Sequence, residues 1–169
     1  MVHVEAGYVQ LGNDPDQARQ FLDSYMSDSE LDKAIHFIGQ ESIRRVEVPA
    51  FWIDQYEVTN AEYARFLTET GHPPPEHYSG TAPPPGKSDH PVVDVTYDDA
   101  EAYARRAGKE LPTREQWLRA FRGDHTWLFP WGDQYDPGRA NVGDNPKFRS
   151  TSPVRDTSPA SIRSAAARP

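Results

Sequence analysis

The proline content of this chain restricts what it can fold into more than any other feature of its sequence. Of the 169 residues, 16 are proline, and seven of these prolines lie in residues 72–91. Proline fixes φ and has no amide hydrogen, so it is excluded from helix interiors and from central strands. We therefore expect a long irregular loop over residues 72–91, in a domain with short elements and many loops.

The aromatic content indicates that the chain nevertheless folds. It contains 7 Phe, 8 Tyr and 4 Trp, which is far more than a disordered chain of this length usually carries. A length of 169 residues is enough for one hydrophobic core and is short for two. We expect a single globular domain.

The charge and hydropathy of the chain argue against two classes of partner. The net charge is −8, whereas a surface that binds nucleic acid needs a basic face to contact phosphates. No stretch approaches the roughly 20 consecutive apolar residues that span a membrane. The chain begins MVHVE, without the apolar core of a signal peptide. We expect a cytoplasmic protein without nucleic-acid or membrane partners.

The absence of cysteine excludes several kinds of site. With no cysteine in the sequence, the chain has no disulfide, no zinc–thiolate site, no iron–sulfur cluster and no thiol nucleophile. The six histidines show no spacing that would place two of them on one face of a helix as metal ligands. We interpret them as ordinary solvated or hydrogen-bonded side chains.

The periodicity of the apolar residues predicts the elements of the N-terminal third. Alternation over residues 2–11 indicates a strand, and a helical stripe follows over 14–26, with Asp14 or Asp16 as its N-cap. A weaker helical pattern covers 31–37. Residues 43–56 are rich in β-forming residues, and Pro49 places them on an edge strand or divides them into two short strands.

Three helices with clear start and stop signals are predicted further along. They begin at Thr59, Thr96 and Thr113, and glycine lies at their ends. Glu62 and Gln116 complete capping boxes with the first and the third of these threonines. A short strand is predicted over 92–95. The third helix has an apolar face formed by Trp117, Leu118 and Phe121.

Two loop segments are candidates for binding. Asparagine, aspartate and glycine over 141–145 are suited to bend a loop around calcium, although such residues more often form an ordinary turn. Trp127, Phe129 and Trp131 would line a ligand cleft or form a satellite core beneath the loops. The sequence leaves both pairs of alternatives open.

Three blocks of the chain resemble motifs of one protein family. Residues 51–66 read FWIDQYEVTNAEYARF, residues 90–117 contain HPVVDVTYDDAEAY and then AGKELPTREQW, and residues 129–141 contain FPWGD and AN. These blocks are similar to those of the formylglycine-generating enzyme family, also called sulfatase-modifying factors. The similarity runs from about Val4 to about Val154.

This resemblance implies an α+β, C-type-lectin-like fold with short strands, about three capped helices and much irregular loop. It also implies a calcium site built from an asparagine side chain, the next carbonyl, an acidic side chain and an aromatic residue's carbonyl. The matching residues are Asn141, Val142 and Phe148, with Asp144 as the acidic ligand and Asn145 as its alternative. Calcium is therefore the candidate cofactor.

The chain departs from the family pattern after TSPV at residues 151–154. The resemblance leads us to expect a block ending in Trp-Glu-Trp and then a pair of catalytic cysteines, whereas residues 155–169 are rich in Arg, Ala, Ser and Pro. We expect residues 1–154 to be the N-terminal part of a truncated sulfatase-modifying-factor-like domain. We expect residues 155–169 to be a disordered, atypical tail, of the kind that a shifted reading frame would encode.

Two functions follow from this comparison. The first is a sulfatase-modifying-factor-family protein. Its 169 residues are expected to lack oxidase activity, because the copper–thiolate chemistry of the family needs cysteines. The iron-dependent members need a separate helical domain, so this chain supports neither copper nor iron. The alternative is a non-catalytic, lectin-like binding module that calcium stabilises. The expected partner is a protein or peptide ligand, or a complementary C-terminal half.

Overall fold

The computed structural model of the protein describes residues 1–23, 26–141 and 150–155. These ranges contain four short strands, five α-helices and one short 3-10 helix, which confirms a mixed α+β composition with five helices rather than about three. The strands are β1 (Val2–Val4), β2 (Gly7–Leu11), β3 (Arg44–Val48) and β4 (Phe51–Ile53). The helices are α1 (Pro15–Leu22), α2 (Asp28–Ile38), α3 (Asn60–Thr70), α4 (Tyr97–Arg106) and α5 (Arg114–Arg122), and the 3-10 helix is Pro137–Arg139.

The strands form two separate antiparallel pairs. β1 pairs with β4, with His3 opposite Trp52, and β2 pairs with β3, with Val9 opposite Val46. The single strand predicted over 2–11 is therefore two strands, because each half pairs with a different downstream strand. Pro49 lies between β3 and β4, so the second of the two arrangements predicted for it is confirmed.

The predicted helix signals are confirmed by the capping contacts. Thr59, Thr96 and Thr113 are the N-caps of α3, α4 and α5, and each takes part in a capping box. Asp14 rather than Asp16 caps α1, since its side chain accepts the Asp16 amide hydrogen. The second predicted helix is also present, as α2, and it is longer than expected.

The strand predicted over 92–95 is wrong. The chain makes only an isolated bridge there, between Thr59 and Pro91, and the Val92 amide donates to the Val58 carbonyl at 2.9 Å. Asp94 has a φ of 57°, which is a left-handed conformation outside the β region of a regular strand.

Two hydrophobic clusters hold these elements together. The first contains Tyr63, Phe66 and Leu67 of α3 and Tyr78 of the proline-rich loop, with Tyr103 of α4 packed against it. The loop over 72–91 thus supplies a core residue although it has no helix or strand of its own. The buried members of the second cluster are Val9, Leu11 and Val48, and Leu118 of α5 packs against them.

The apolar face predicted for α5 is only partly correct. Trp117 is 47% exposed and stacks on Phe121 with a ring-centroid distance of 4.7 Å, whereas Arg119 and Arg122 are buried. Arg122 donates to the Gln10 carbonyl at 2.7 Å. The two guanidinium groups are buried because backbone carbonyls near β2 accept their hydrogen bonds.

The aromatic loop near residue 130 packs against the first helix. Phe129 and Trp131 are stacked at 5.4 Å, and Phe21 of α1 meets Phe129 edge-on at 5.3 Å. This packing supports the satellite-core interpretation of the loop. None of the helices in the described ranges combines the length and the apolarity needed to cross a bilayer.

Candidate functional site

A cleft of about 950 Å³ opens beside β4, between that strand, α4 and residues 108–112. All three residues of β4 line it. Further apolar residues that line it are Val58, Val92, Val95, Ala100, Ala104 and Leu111. Val92 and Val95, which sequence reasoning placed in a strand, therefore contribute their side chains to this cleft.

Two helices whose starts were predicted from the sequence place the aromatic side chains of the cleft. Tyr63 of α3 and Tyr103 of α4 both line it, and their rings are stacked with centroids 5.7 Å apart. Capping fixes where each helix begins, and so fixes which side chains point toward the other helix. Tyr63 is only 1% exposed and is itself a member of the first hydrophobic cluster. The stacked pair therefore connects the cleft to that cluster.

Four of the five charged side chains that line the cleft are paired with one another, and the fifth is Glu110. Lys109 Nζ lies 2.7 Å and 2.9 Å from the two carboxylate oxygens of Asp54. Arg105 Nη2 lies 2.9 Å from Glu101 Oε1, one turn away on α4. The charges of these four side chains balance, and Glu110 adds one negative charge to the lining.

A smaller pocket of about 410 Å³ adjoins the cleft and shares Asp54, Lys109 and Tyr103 with it. Arg155 lies on its other side, with its guanidinium carbon 5.1 Å from the centre of the Tyr56 ring. The last described residues, Val154 and Arg155, therefore line the pocket that adjoins the cleft.

The hydroxyl of Tyr63 is buried and makes no hydrogen bond within the described residues. Burial, with smaller contributions from Asp99 and Tyr78, raises the pKa of Tyr63 to about 12, so this phenol stays protonated at neutral pH. Tyr78 differs, because its hydroxyl donates to Asn60 Oδ1 at 2.6 Å. A buried donor without a partner destabilises the structure by roughly 1–3 kcal/mol.

A polar network holds residues 150–155 beside the start of α3. Asn60 Nδ2 donates to the Lys87 carbonyl at 2.8 Å, and His90 Nδ1 lies 2.9 Å from Thr151 Oγ1. The Val154 amide donates to the Asp89 carbonyl at 3.0 Å. These contacts link the end of the proline-rich loop to the TSPV segment.

Of the four predicted calcium ligands, the structure describes only Asn141. Its amide nitrogen donates to the Ser150 carbonyl at 2.8 Å and to Ser152 Oγ at 3.1 Å, an orientation compatible with a carboxamide oxygen that serves as a ligand. The other predicted ligands lie outside the described residues: Val142, Asp144 with its alternative Asn145, and Phe148. The calcium site stays a prediction.

Within the described ranges, no group of three or more His, Cys, Asp or Glu side chains is placed to hold a metal ion. Three of the four predicted calcium ligands are an asparagine side chain and two backbone carbonyls, which do not belong to such a group. The absence of such a group among the described residues therefore does not test the predicted calcium site.

Sequence reasoning did not identify the cleft. Asp54 and Lys109 are 55 positions apart, and nothing in their local patterns pairs them. The available signal was the apolar stripes of α3 and α4, which predict that each helix buries one face but not which other segments meet there.

Comparisons with known proteins agree with the blocks seen in the sequence. The model of the sulfatase-modifying factor enzyme 1-like domain family matches residues 1–165. The uncharacterized protein YfmG of Bacillus subtilis (strain 168) is 36% identical over 70% of this chain and 27% of its own length. The formylglycine-generating enzyme of Bos taurus is 30% identical over 91% of this chain and 51% of its own length.

A bacterial enzyme gives a similar result. The formylglycine-generating enzyme of Mycobacterium tuberculosis (strain ATCC 25618 / H37Rv) is 34% identical over 57% of this chain and 49% of its own length. The chain thus spans about half the length of each of these two formylglycine-generating enzymes.

Proposed function

Because the chain belongs to the sulfatase-modifying factor enzyme 1-like domain family, we propose that it is the N-terminal, structural part of a formylglycine-generating-enzyme-like domain. We propose further that these 169 residues have no oxidase activity of their own. The observation that carries the second statement is the absence of cysteine from the sequence.

The chemical reason lies in the reaction that the resemblance implies. Oxidation of a peptide cysteine by copper and oxygen in this family uses protein thiolates, the soft ligands that Cu(I) prefers. The chain has histidine and carboxylate side chains and two methionines, but none of these side chains supplies a thiolate. The role left to these residues is to build the scaffold and the cleft described above.

The test is an oxidase assay on the full 169-residue chain. The chain is incubated with copper, a reductant, oxygen and a cysteine-containing substrate peptide, and mass spectrometry measures conversion of the thiol to the aldehyde. The Mycobacterium tuberculosis enzyme serves as the positive control. We expect no aldehyde above the protein-free blank, and turnover by this chain would overturn the proposal.

The proposal includes a C-type-lectin-like arrangement and a calcium ion held by Asn141, Val142, Asp144 and Phe148. The orientation of the Asn141 carboxamide supports the calcium ion in this proposal. Oxygen ligands from such a loop would bind the ion and raise the melting temperature. We expect calcium to raise the melting temperature of the native chain but not of Asp144→Ala. Equal melting temperatures with calcium and with a chelator would contradict this part.

A second candidate function is a non-catalytic binding module for a protein or peptide. The cleft of about 950 Å³ favours it, because large and mostly apolar clefts are typical binding sites. This function is tested by isothermal titration calorimetry, in which protein or peptide ligands are titrated into the native chain and into chains with a substitution in the cleft. Binding that cleft substitutions do not weaken would count against it.

A further inference from the structure

We propose that His90 is a pH-sensitive latch, which holds residues 150–155 against the proline-rich loop while it is neutral and releases them when it is protonated. The latch lies outside the cleft and outside the predicted calcium ligands. His90 is 8% exposed, and its Nδ1 atom is the point at which the loop and the later segment meet. Histidine is the side chain whose charge ordinarily changes between about pH 5 and 8.

The first support is that two hydrogen-bonding groups converge on this one nitrogen. Lys87 Nζ lies 3.4 Å and Thr151 Oγ1 lies 2.9 Å from His90 Nδ1. An ammonium group can only donate, so the contact with Lys87 requires an unprotonated Nδ1. The arrangement therefore selects the neutral imidazole, with its hydrogen on Nε2.

The second support is the position of Lys87 in the same network. Its ammonium also donates to Ser150 Oγ at 3.1 Å and to the Thr151 carbonyl at 3.3 Å. The Asn60 side chain holds the backbone of this lysine, because Asn60 Nδ2 donates to the Lys87 carbonyl at 2.8 Å. Lys87 therefore connects the loop to residues 150–151, and displacement of its ammonium breaks both of those contacts.

Protonation of His90 would place a second positive charge beside that ammonium. The Thr151 hydroxyl can turn and accept a hydrogen bond from the protonated ring, but the Lys87 ammonium has no lone pair with which to do so. Two cations this close in a part-buried site repel each other more strongly than they would in water. The Lys87 ammonium would therefore move away from the ring, and the Ser150 hydroxyl and the Thr151 carbonyl would lose their donor.

Contacts reach His90 from three parts of the chain. The proline-rich loop brings Lys87, residues 150–155 bring Thr151, and the start of α3 brings the Asn60 amide, which donates to the His90 carbonyl at 2.8 Å. Of these three groups only Lys87 is charged. The environment that these contacts give to the ring is therefore one that disfavours a further positive charge.

Charged side chains next to these contacts have other partners or face water. The Glu62 carboxylate in the first turn of α3 accepts hydrogen bonds from Thr59. The Arg155 guanidinium lies over the Tyr56 ring. Asp89 is exposed, so water and salt screen its carboxylate.

The other two histidines of the proline-rich loop have the opposite chemistry. His72 Nε2 lies 2.7 Å from Asp99 Oδ1, and His77 Nδ1 lies 3.6 Å from Asp94 Oδ2. A positive charge on either ring is attracted to its carboxylate, so acid leaves the start of the loop in place. The release is therefore confined to the end of the loop, where the neighbour of His90 is a cation.

The Val154 amide reports the state of the latch, since it donates to the Asp89 carbonyl at 3.0 Å and its residue is 7% exposed. Its hydrogen–deuterium exchange is measured by NMR on the full chain at pH 7.5 and 5.5. EDTA is present, so that release of calcium does not contribute. Each rate is divided by the intrinsic rate of that amide at the same pH. We expect its protection to fall roughly tenfold, because one linked proton changes an opening equilibrium up to tenfold per pH unit.

Three substitutions locate the effect. His90→Asn keeps an oxygen that can accept from Lys87 and Thr151 but gains no proton in this range, so its Val154 protection should change by less than about twofold. Lys87→Met keeps the ionisable ring and removes the cation. Its protection should be lower at both pH values and should also change by less than about twofold. His72→Asn is the control and should respond to pH as the native chain does.

The latch is overturned when the native chain protects Val154 equally at both pH values, or when His90→Asn responds to pH as the native chain does. It is also overturned when the Leu67 amide of α3 loses protection in parallel, since acid then unfolds the domain instead of releasing one segment. Melting temperatures show whether each variant folds. If His90→Asn does not fold, Lys87→Met decides the question, and a native pH response in that variant overturns the latch.

Discussion

His72 Nε2 lies 2.7 Å from Asp99 Oδ1, so one contact joins the start of the proline-rich loop to the first turn of α4. The other carboxylate oxygen of Asp99 accepts the amide and hydroxyl hydrogens of Thr96 in the capping box. The His72 ring also packs on Phe66 at 5.1 Å. Asp99 therefore helps both to begin α4 and to anchor a loop that has no regular structure of its own.

The first prediction concerns acid stability. The contacts with His72, and secondarily with the Thr96 amide, lower the pKa of Asp99 to about 2. A carboxyl group whose pKa is lowered by folding stabilises the folded state above its unfolded pKa of roughly 4, and that contribution is lost as the pH falls toward 2. We expect Asp99→Asn to lower the unfolding free energy by about 1–3 kcal/mol at pH 7.

Urea unfolding of native and Asp99→Asn chains at pH 7, 5, 3 and 2 measures this effect. The difference between the two chains is expected to shrink as the pH falls from about 4 toward 2. Asp98→Asn is the control, since Asp98 is exposed in the same helical turn. Equal pH profiles for Asp99→Asn and Asp98→Asn would show that the His72 contact contributes nothing.

Local chemistry made the helices of this fold predictable. A threonine cap, its partner three residues later and a terminal glycine act within one element, so Thr59, Thr96 and Thr113 could be identified without tertiary information. The strand prediction over 92–95 failed because the apolar pattern did not reveal the left-handed conformation of Asp94.

Non-local contacts account for what could not be predicted. The strand over 2–11 divides because β3 and β4 approach its two halves separately, and that choice depends on residues some 40 positions away. Arg119 and Arg122 were unpredictable core residues for the same reason, because their burial depends on carbonyls of β2 and its neighbours. The cleft requires β4, α4 and residues 108–112 at once, which no single pattern encodes.

The second prediction concerns the buried hydroxyl of Tyr63. Because this group makes no hydrogen bond among the described residues, Tyr63→Phe removes an unsatisfied donor and keeps the ring. We expect the unfolding free energy to stay equal or to rise by up to about 1 kcal/mol. Tyr78→Phe is the matched control and should lower it by about 1–3 kcal/mol, because it leaves Asn60 Oδ1 without its 2.6 Å hydrogen bond. Thermal and urea unfolding measure both variants, and a clearly destabilised Tyr63→Phe would contradict the prediction.

The third prediction concerns the cap of α3, the helix that supplies most of the first cluster. Thr59→Ala removes the acceptor of the Glu62 amide hydrogen and the donor to the Glu62 carboxylate. We expect a loss of about 1 kcal/mol in unfolding free energy. Thr68→Ala, whose hydroxyl only donates back to the Ala64 carbonyl within the same helix, should change it by less than about 0.5 kcal/mol. Urea denaturation compares the two, and equal losses would mean that the cap does not stabilise the fold.

The fourth prediction concerns Gly7 at the start of β2. A Cβ atom at this position would lie 2.5 Å from Arg119 Nη2 and 2.7 Å from its Cζ. The Arg119 side chain is 5% exposed, pairs with Asp124 and donates to the carbonyls of Glu5 and Tyr8, so it has little room to move. We expect Gly7→Ala to lower the unfolding free energy by about 1–3 kcal/mol through overpacking.

Two controls separate this steric effect from the general effect of replacing a glycine. Gly39→Ala meets its nearest atom, the Ile35 carbonyl oxygen, at 3.3 Å in an ordinary helical conformation, and should change stability by less than about 1 kcal/mol. In the Arg119→Met background the cost of Gly7→Ala should shrink, because the guanidinium that the new methyl group meets is gone. Urea unfolding of the four combinations measures this coupling. If the free-energy changes of the two single substitutions add in the double variant, Gly7 is required for a reason other than its close contact with the Arg119 guanidinium.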